Sequence, residues 1–148
     1  MVELNLPKIT CNIRKKEGKF EVFDIIRKKY VHLTPEEWVR QHLIHFLIYS
    51  KSYPRSLIKI ESGLKYNRLQ KRSDILVYDR TGRPFLIIEC KSFDVKIDQS
   101  TVNQVSVYNR KLGAQFAVVS NGIIHYCCEY NGKTGSTSFT DSFPEFVK

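Results

Sequence analysis

The chain has 148 residues, of which 42% are hydrophobic and 26% are charged, an ordinary globular composition that suits one domain with a proper core. It carries 24 basic and 15 acidic residues, and the net charge of +9 favours a polyanionic partner, with nucleic acid first and an anionic membrane surface second. No apolar run approaches the roughly 20 residues of a membrane span and the N-terminus lacks a signal-peptide core, so we expect a cytoplasmic protein without a membrane partner. The four cysteines form no CxxC pair, which argues against a metal cluster or a disulfide framework.

The first predicted element is a basic N-terminal extension over residues 1–30. Within it, KITCNIR and KFEVFDII alternate as strands do, and residues 15–18 form the turn of a hairpin. The run Arg27-Lys28-Lys29 is typical of a solvated edge, with contact to phosphates as the alternative interpretation.

Residues 33–130 are predicted to form the core, which opens with a helix. Thr34 suits the N-cap, and Glu37 three residues later completes a capping-box pattern. Glu36 lies at the head of the apolar stripe that continues through Val39, whereas Glu37 is turned away from it. Glu36 is therefore better placed to face the interior of the domain.

Beyond this helix a strand is predicted within SLIKIESGLKYN, followed by a connector rich in basic residues. We expect this connector to form a positive, nucleic-acid-binding rim beside the residues that follow it. Its members are Lys65, Arg68, Lys71 and Arg72.

The core is organised around residues 73–91. Two apolar runs, ILVY and FLIIEC, flank a turn at Thr81-Gly82 and predict a β-hairpin. A turn centred there places Asp74 directly opposite Glu89, with Lys91 on the same face, unless a bulge shifts the register. Opposed like charges destabilise a strand pair, and a divalent cation would relieve the repulsion. The alternative is that Glu89 and Lys91 are ordinary solvent-exposed side chains. Both strands are apolar on both faces, as buried strands are, which disfavours this alternative.

After the hairpin, Asp98 or Ser100 caps a second predicted helix that ends at Gly113. Two strands follow, over residues 115–120 and 123–130. The Gly/Ser/Thr-rich tail, residues 131–148, is predicted to be peripheral or poorly ordered. Its GKT sequence resembles the end of a phosphate-binding loop, but a cysteine stands where that loop needs glycine, so no nucleotide site is expected.

The ordered set of motifs resembles the PD-(D/E)xK nuclease superfamily, and more closely the N-terminal domain of type I restriction enzyme R subunits in a stand-alone form. The blocks that carry the resemblance are LTPEEWVRQHLIHFLI, QKRSDILVYD, FLIIECKS, NQVSVYN and HYCCEY. Together they cover about residues 20–130. The resemblance implies an α/β, restriction-endonuclease-like αβββαβ core in a single domain, with a central mixed sheet flanked by helices. One departure is Ser73, which stands where the family usually has proline before the aspartate.

The resemblance also implies a metal site. Asp74 and Glu89 would bind Mg²⁺, or Mn²⁺ as a substitute, with the backbone carbonyl of Cys90 close by. Mg²⁺ prefers oxygen ligands and is commonly held by one or two carboxylates together with substrate phosphate.

Further roles follow from the same resemblance. Glu36 would complete the acidic set from the first helix, with Glu37 as the alternative residue for this role. Lys91 would orient or polarise the attacking water, act as a base, or stabilise charge on the phosphate. Gln104 and Tyr108 match the family's Q-x3-Y element, which lies near the site and the nucleic-acid path.

The implied function is Mg²⁺-dependent cleavage of double-stranded DNA within a restriction or DNA-processing system. The alternatives are a non-catalytic nucleic-acid-binding or assembly module of the same fold, and an enzyme that acts on RNA or branched DNA. Type I R subunits also contain an ATP-dependent motor, which the matched blocks do not include. Restriction-system subunits supplied in trans are therefore expected partners, and a homodimer stays open.

Overall fold

A computed structural model describes residues 2–62 and 73–146, with the backbone alone described at positions 61–62 and 73–74. The N-terminal strands are β1 (Ile13–Lys16), β2 (Lys19–Asp24) and β3 (Lys29–His32). The later strands are β4 (Ile58–Ser62), β5 (Ser73–Tyr78), β6 (Pro84–Cys90), β7 (Phe116–Ser120), β8 (His125–Asn131) and β9 (Ser136–Thr140). The helices are α1 (Pro35–His45), continued by a π-helical turn (Phe46–Ser50), a 3₁₀ turn (Arg55–Leu57) and α2 (Gln99–Leu112).

The strands form two sheets. The N-terminal sheet has the order β1-β2-β3 and is antiparallel, so the predicted hairpin gains a third strand. The larger sheet runs β4-β5-β6-β7-β8-β9, and only its β6–β7 pair is parallel. A mixed α/β fold with a central mixed sheet is thus confirmed.

Helix α1 covers one face of the larger sheet. Its fully buried side chains Val39 and Leu43, with Leu47 of the π-helical turn that continues it, belong to one apolar cluster with Ile75 of β5 and Ile88 of β6. Their spacing of four residues places them on a single stripe of the helix. This stripe is the one that the sequence pattern predicts.

Helix α2 covers the opposite face. Val102 and Val105 pack in a second cluster with Leu76 of β5, Ile87 of β6 and Val119 of β7. Successive residues of β5 and β6 therefore enter different clusters, as the two-residue period of a strand requires. Both strands are covered on both faces, which confirms the prediction from their continuous apolar runs.

Thr34 caps α1 as predicted, because its hydroxyl oxygen accepts a hydrogen bond from the Glu37 backbone N–H at 3.0 Å. The Glu37 carboxylate, however, accepts hydrogen bonds from Arg27 at 3.0 Å and from Gln41 at 2.9 Å. The sequence pattern assigned this carboxylate to a capping box. In the structure it instead joins the N-terminal sheet to the helix.

Asp24 lies at the centre of that junction, with no solvent exposure. Its carboxylate accepts hydrogen bonds from the Arg27 side chain at 2.7 Å and from Gln41 at 3.0 Å. Burial alone would raise the pKa of Asp24, but the hydrogen bonds and charge of Arg27 and the bond from Gln41 lower it below the usual value. Arg27 is thus a partly buried ion-pair partner and not part of a solvated edge.

The boundaries of α2 follow the sequence signals. The Asp98 carboxylate accepts a hydrogen bond from the Thr101 backbone N–H at 3.0 Å, so Asp98 is the N-cap. Gly113 ends the helix in the left-handed conformation, with φ of 78°. Glycine adopts this conformation without the steric cost of a side chain.

The tail contains structure that its composition does not indicate. Strand β9 pairs with β8, and Phe143 is buried against Phe46 with ring centroids 5.1 Å apart. The Tyr53 hydroxyl donates a hydrogen bond to the Pro144 carbonyl at 2.7 Å. The aromatic residues near the C-terminus bind the tail to the core although the residues before them are small and polar.

Cys127 and Cys128 point to opposite faces of β8, the first into the α1-side cluster and the second into the α2-side cluster. Burial raises the pKa of Cys127 to about 11. All four cysteines are free thiols. In the described part of the chain, no helix is both long enough and apolar enough to cross a bilayer.

Three histidines, His42 and His45 buried and His125 half-buried, predict how stability depends on pH. Burial lowers the pKa values of His42, His45 and His125 in the folded state. As the pH falls from about 7.5 to about 5.5, the unfolded chain binds protons that the folded chain resists, so the free energy of unfolding decreases. The urea midpoint should fall over this range, and it should fall less in the variant His125→Gln. A midpoint that stays constant or rises would contradict this expectation.

Candidate functional site

The antiparallel register of β5 and β6 places Asp74 directly opposite Glu89. The predicted pairing is thus confirmed, but the turn is centred on Thr81, since Tyr78 pairs with Pro84 beside it. An irregularity between Val77 and Tyr78 then shifts the register by one residue. The alignment of Asp74 with Glu89 therefore depends on this irregularity as well as on the turn.

Glu89 lies near the end of β6, at the end of the sheet where the parallel strands β6 and β7 both terminate. It is 5% exposed, and its register partner on β7 is the buried Val119. Ile87, two residues earlier, packs in the α2-side cluster, so Glu89 belongs to the α2 face of the sheet. A carboxylate is thus buried at the margin of an apolar layer.

Lys91 follows β6 immediately and is half-buried. Its backbone N–H donates to the Ser120 carbonyl at the end of β7, at 2.8 Å. This hydrogen bond extends the pairing of the two parallel strands by one step. The backbone of Lys91 is consequently held at the same end of the sheet as Glu89.

Sequence reasoning missed a third acidic position. The β4–β5 register pairs Glu61 with Asp74, so three acidic residues occupy adjacent positions across three strands. We call Glu61, Asp74 and Glu89 the acidic row. Strand β4 was predicted, but its register with β5 depends on how the basic connector turns, which residue types alone do not reveal.

Helix α1 begins at the same end of the sheet as the acidic row. A Cβ added to Gly122, just beyond β7, would lie 3.2 Å from a methyl carbon of Val39. Glu36, one turn before Val39, is therefore near this end and is half-buried. However, α1 covers the face opposite to that of Glu89. Glu36 therefore belongs to the layer opposite the Glu89 face, while Glu37 is paired with Arg27.

The two α2 residues of the Q-x3-Y element differ in exposure. Gln104 is exposed, whereas Tyr108 is partly buried and packs against the α2-side cluster. That cluster includes Ile87, on the same face of β6 as Glu89. Both residues thus belong to the layer that covers the face of Glu89.

Cys90 is fully buried and its side chain belongs to the α1-side cluster, so its thiol does not face the acidic row. Its predicted contribution is the backbone carbonyl alone. The predicted basic rim falls outside the described residues, and its members are Lys65, Arg68, Lys71 and Arg72.

The donor set suits a hard divalent cation. Like charges in directly opposed positions, whose Cβ atoms lie roughly 4.5–5.5 Å apart, destabilise a strand pair, and a bound cation would relieve their repulsion. Carboxylate and carbonyl oxygens are the ligands that Mg²⁺ prefers. Among the described side chains, no group of three or more His, Cys, Asp or Glu is placed to hold a metal. The side chains of Asp74 and Glu61 are not among those described.

Comparison with known proteins gives one family match. The model of the type I restriction enzyme R protein N terminus matches residues 35–144. A solved fragment described as a candidate HsdR subunit of a type I restriction enzyme from Vibrio vulnificus YJ016 is 26% identical, with a TM-score of 0.35. The match covers 51% of this chain and 14% of that one, so the chain spans a small part of its length. No curated protein matches the chain.

The acidic row predicts a distinctive response of thermal stability to metal. In EDTA, Asp74→Asn should melt a few degrees higher than the wild type, because opposed like charges cost about 0.2–1 kcal/mol and about 1 kcal/mol corresponds to about 2–4 °C. Saturating Mg²⁺ should raise the melting temperature of the wild type but not of this variant, because bound ligand stabilises the folded state.

The matched control is Glu129→Gln, which removes an exposed carboxylate at the other end of the sheet. It should respond to Mg²⁺ as the wild type does. If Asp74→Asn melts lower than the wild type in EDTA and retains the Mg²⁺ response, Asp74 has a structural role instead.

Proposed function

The chain belongs to the family of the type I restriction enzyme R protein N terminus, and from this membership we propose that it is a Mg²⁺-dependent DNA endonuclease domain of the PD-(D/E)xK superfamily. The observation that carries the proposal is the register that opposes Asp74 to Glu89. Family membership supports a role in a restriction system. The cleavage chemistry rests on the acidic row and the neighbouring lysine.

The order of elements supports a restriction-endonuclease-like core. Helix α1 is followed by three antiparallel strands, β4 to β6, then by α2 and by β7, which pairs parallel to β6. This is the αβββαβ order. The N-terminal sheet and the strands β8 and β9 are additions to it.

Asp74 and Glu89 would hold the cation, with the Cys90 carbonyl as a further oxygen donor. When bound, Mg²⁺ would supply a water of lowered pKa and would neutralise charge on the phosphodiester oxygens. The burial of Glu89 strengthens its interaction with a cation, since charges attract more strongly where water is excluded. Glu61, beside Asp74 in the row, adds negative charge at the same place.

The Lys91 amine would act at the phosphate that is cleaved. It is half-buried, and its backbone is fixed by the hydrogen bond to Ser120, so the amine starts from a rigid strand end. An ammonium can stabilise charge on a phosphate oxygen, and a neutral amine can accept a proton from water. Glu36 would approach from α1, and Gln104 and Tyr108 would contact the substrate from the α2 layer.

We further propose that double-stranded DNA is the substrate and that restriction-system subunits act as partners in trans. The net charge of +9 supports a polyanionic substrate. The same charge also supports the alternative function, a non-catalytic nucleic-acid-binding or assembly module of the same fold. The two functions differ in whether the protein cleaves DNA in a reaction that needs Lys91 and a divalent cation.

Cleavage of supercoiled plasmid in Mg²⁺ or Mn²⁺ tests the proposal directly. Lys91→Ala should reduce the cleavage rate by about 100-fold or more, the range expected when a proton-transfer or charge-stabilising group is lost. Lys96→Ala removes an exposed lysine from the loop that follows and should leave the rate unchanged. Gel electrophoresis of nicked and linear products measures both.

Equal cleavage by the wild type and Lys91→Ala would indicate a contaminating nuclease. If the wild type binds DNA but cleaves it with neither metal, the endonuclease proposal is wrong and the binding module is the function.

A further inference from the structure

The outer part of the β1–β2 hairpin contributes no buried side chain to the core. All residues from 13 to 20 are exposed, including the apolar side chains Ile13 at 44% and Phe20 at 54%. Further along the same sheet, Val22 and Asp24 are fully buried against the rest of the protein. The buried end anchors the sheet to the protein. The exposed end adds little to the stability of the fold, which suggests a role in binding.

The hairpin tip carries a net positive charge, with Lys16 and Lys19 against the one carboxylate of Glu17. Lys16 and Lys19 are directly opposed in the register, on either side of the turn at Glu17-Gly18. Like charges in opposed positions destabilise a strand pair. Arg14, on the same face as Lys16, is paired with Glu21 at 2.8 Å, so Glu21 does not offset the two lysines. An anion at the tip would relieve their repulsion.

The turn holds these lysines in a defined geometry. Glu17 and Gly18 both have positive φ, at 51° and 79°, the pattern of a tight two-residue hairpin turn. Arg14 also lies over the Tyr30 ring at 3.8 Å, which fixes β1 to the sheet. The backbone of the basic tip is therefore ordered before binding. It loses less conformational entropy when a ligand binds than a flexible segment would.

The tip is directed toward the end of the larger sheet that carries the acidic row, on the α1 side of that sheet. The Leu33 backbone N–H donates to the Phe20 carbonyl at 3.0 Å, which places the base of the exposed part of the hairpin at the start of α1. Helix α1 begins at the end of the sheet that carries the acidic row. Beyond Phe20 the strand and turn extend the hairpin by about 10 Å at about 3.3 Å per residue.

We propose that the β1–β2 hairpin binds the phosphate backbone of duplex DNA beside the acidic row, through Lys16 and Lys19. This inference rests on the proposed function, since it takes that DNA as the ligand. It adds a contact surface that lies outside the matched family region, which begins at residue 35. The occupant follows from charge complementarity, because two lysines carried on a defined turn match the regularly spaced phosphates of a duplex.

The test compares two double variants that lose the same charge. Lys16→Ala/Lys19→Ala removes the tip lysines, and Lys111→Ala/Lys133→Ala removes two exposed lysines at the other end of the larger sheet. Binding to a labelled DNA duplex is measured by fluorescence anisotropy, with Ca²⁺ replacing Mg²⁺, over a series of salt concentrations. All four substitutions are at exposed positions, and thermal melts verify that both variants fold.

The tip variant should raise the Kd about tenfold and reduce the salt dependence of binding by about two counterions, one for each lost phosphate contact. The control variant should change both quantities much less. Equal weakening of both variants would overturn the inference, since net charge alone would then explain binding. Tighter, tip-dependent binding to RNA or to anionic vesicles than to duplex DNA would overturn the assigned ligand.

Plasmid cleavage by the wild type separates this inference from the proposed function. Tip-dependent binding without cleavage supports the hairpin surface and contradicts the endonuclease. Cleavage with tip-independent binding supports the endonuclease and contradicts the hairpin surface. A wild-type protein that does not bind duplex DNA contradicts both.

Discussion

The antiparallel pairing of β5 with β6 is the constraint on which the candidate site depends. It sets Asp74 against Glu89 and, through the next strand, sets Asp74 against Glu61. A shift of one residue would move the carboxylates to opposite faces of the sheet. The apolar residues of both strands resist such a shift, because it would exchange every side chain between the α1-side and α2-side clusters.

The two helical layers give this register its rigidity and its chemical setting. Helix α1 buries one face of the hairpin and α2 buries the other, and Glu89 lies near the end of the strand pair with only 5% of its surface exposed. Burial strengthens the attraction between the Glu89 carboxylate and a nearby cation. The parallel β6–β7 pair completes the setting, since its shared end holds the backbone of Lys91 beside Ser120.

The sequence predicted the local features of this site better than its long-range ones. Thr34 and Asp98 begin their helices and Gly113 ends the second one where side-chain chemistry requires, and the apolar runs beside the turn predict the β5–β6 hairpin. These features depend on neighbours in the chain, so residue types suffice to find them.

Features that depend on distant contacts were missed or assigned differently. The Glu37 carboxylate bonds to Arg27 of the N-terminal sheet, and Phe143 packs on Phe46 across most of the chain. The place of Glu61 in the acidic row follows from a strand register that no local signal encodes. The most direct measurement of the central claim is anomalous scattering from crystals soaked in Mn²⁺. The account predicts a peak coordinated by the carboxylates of Asp74 and Glu89, and carboxylates turned apart with no peak between them would contradict it.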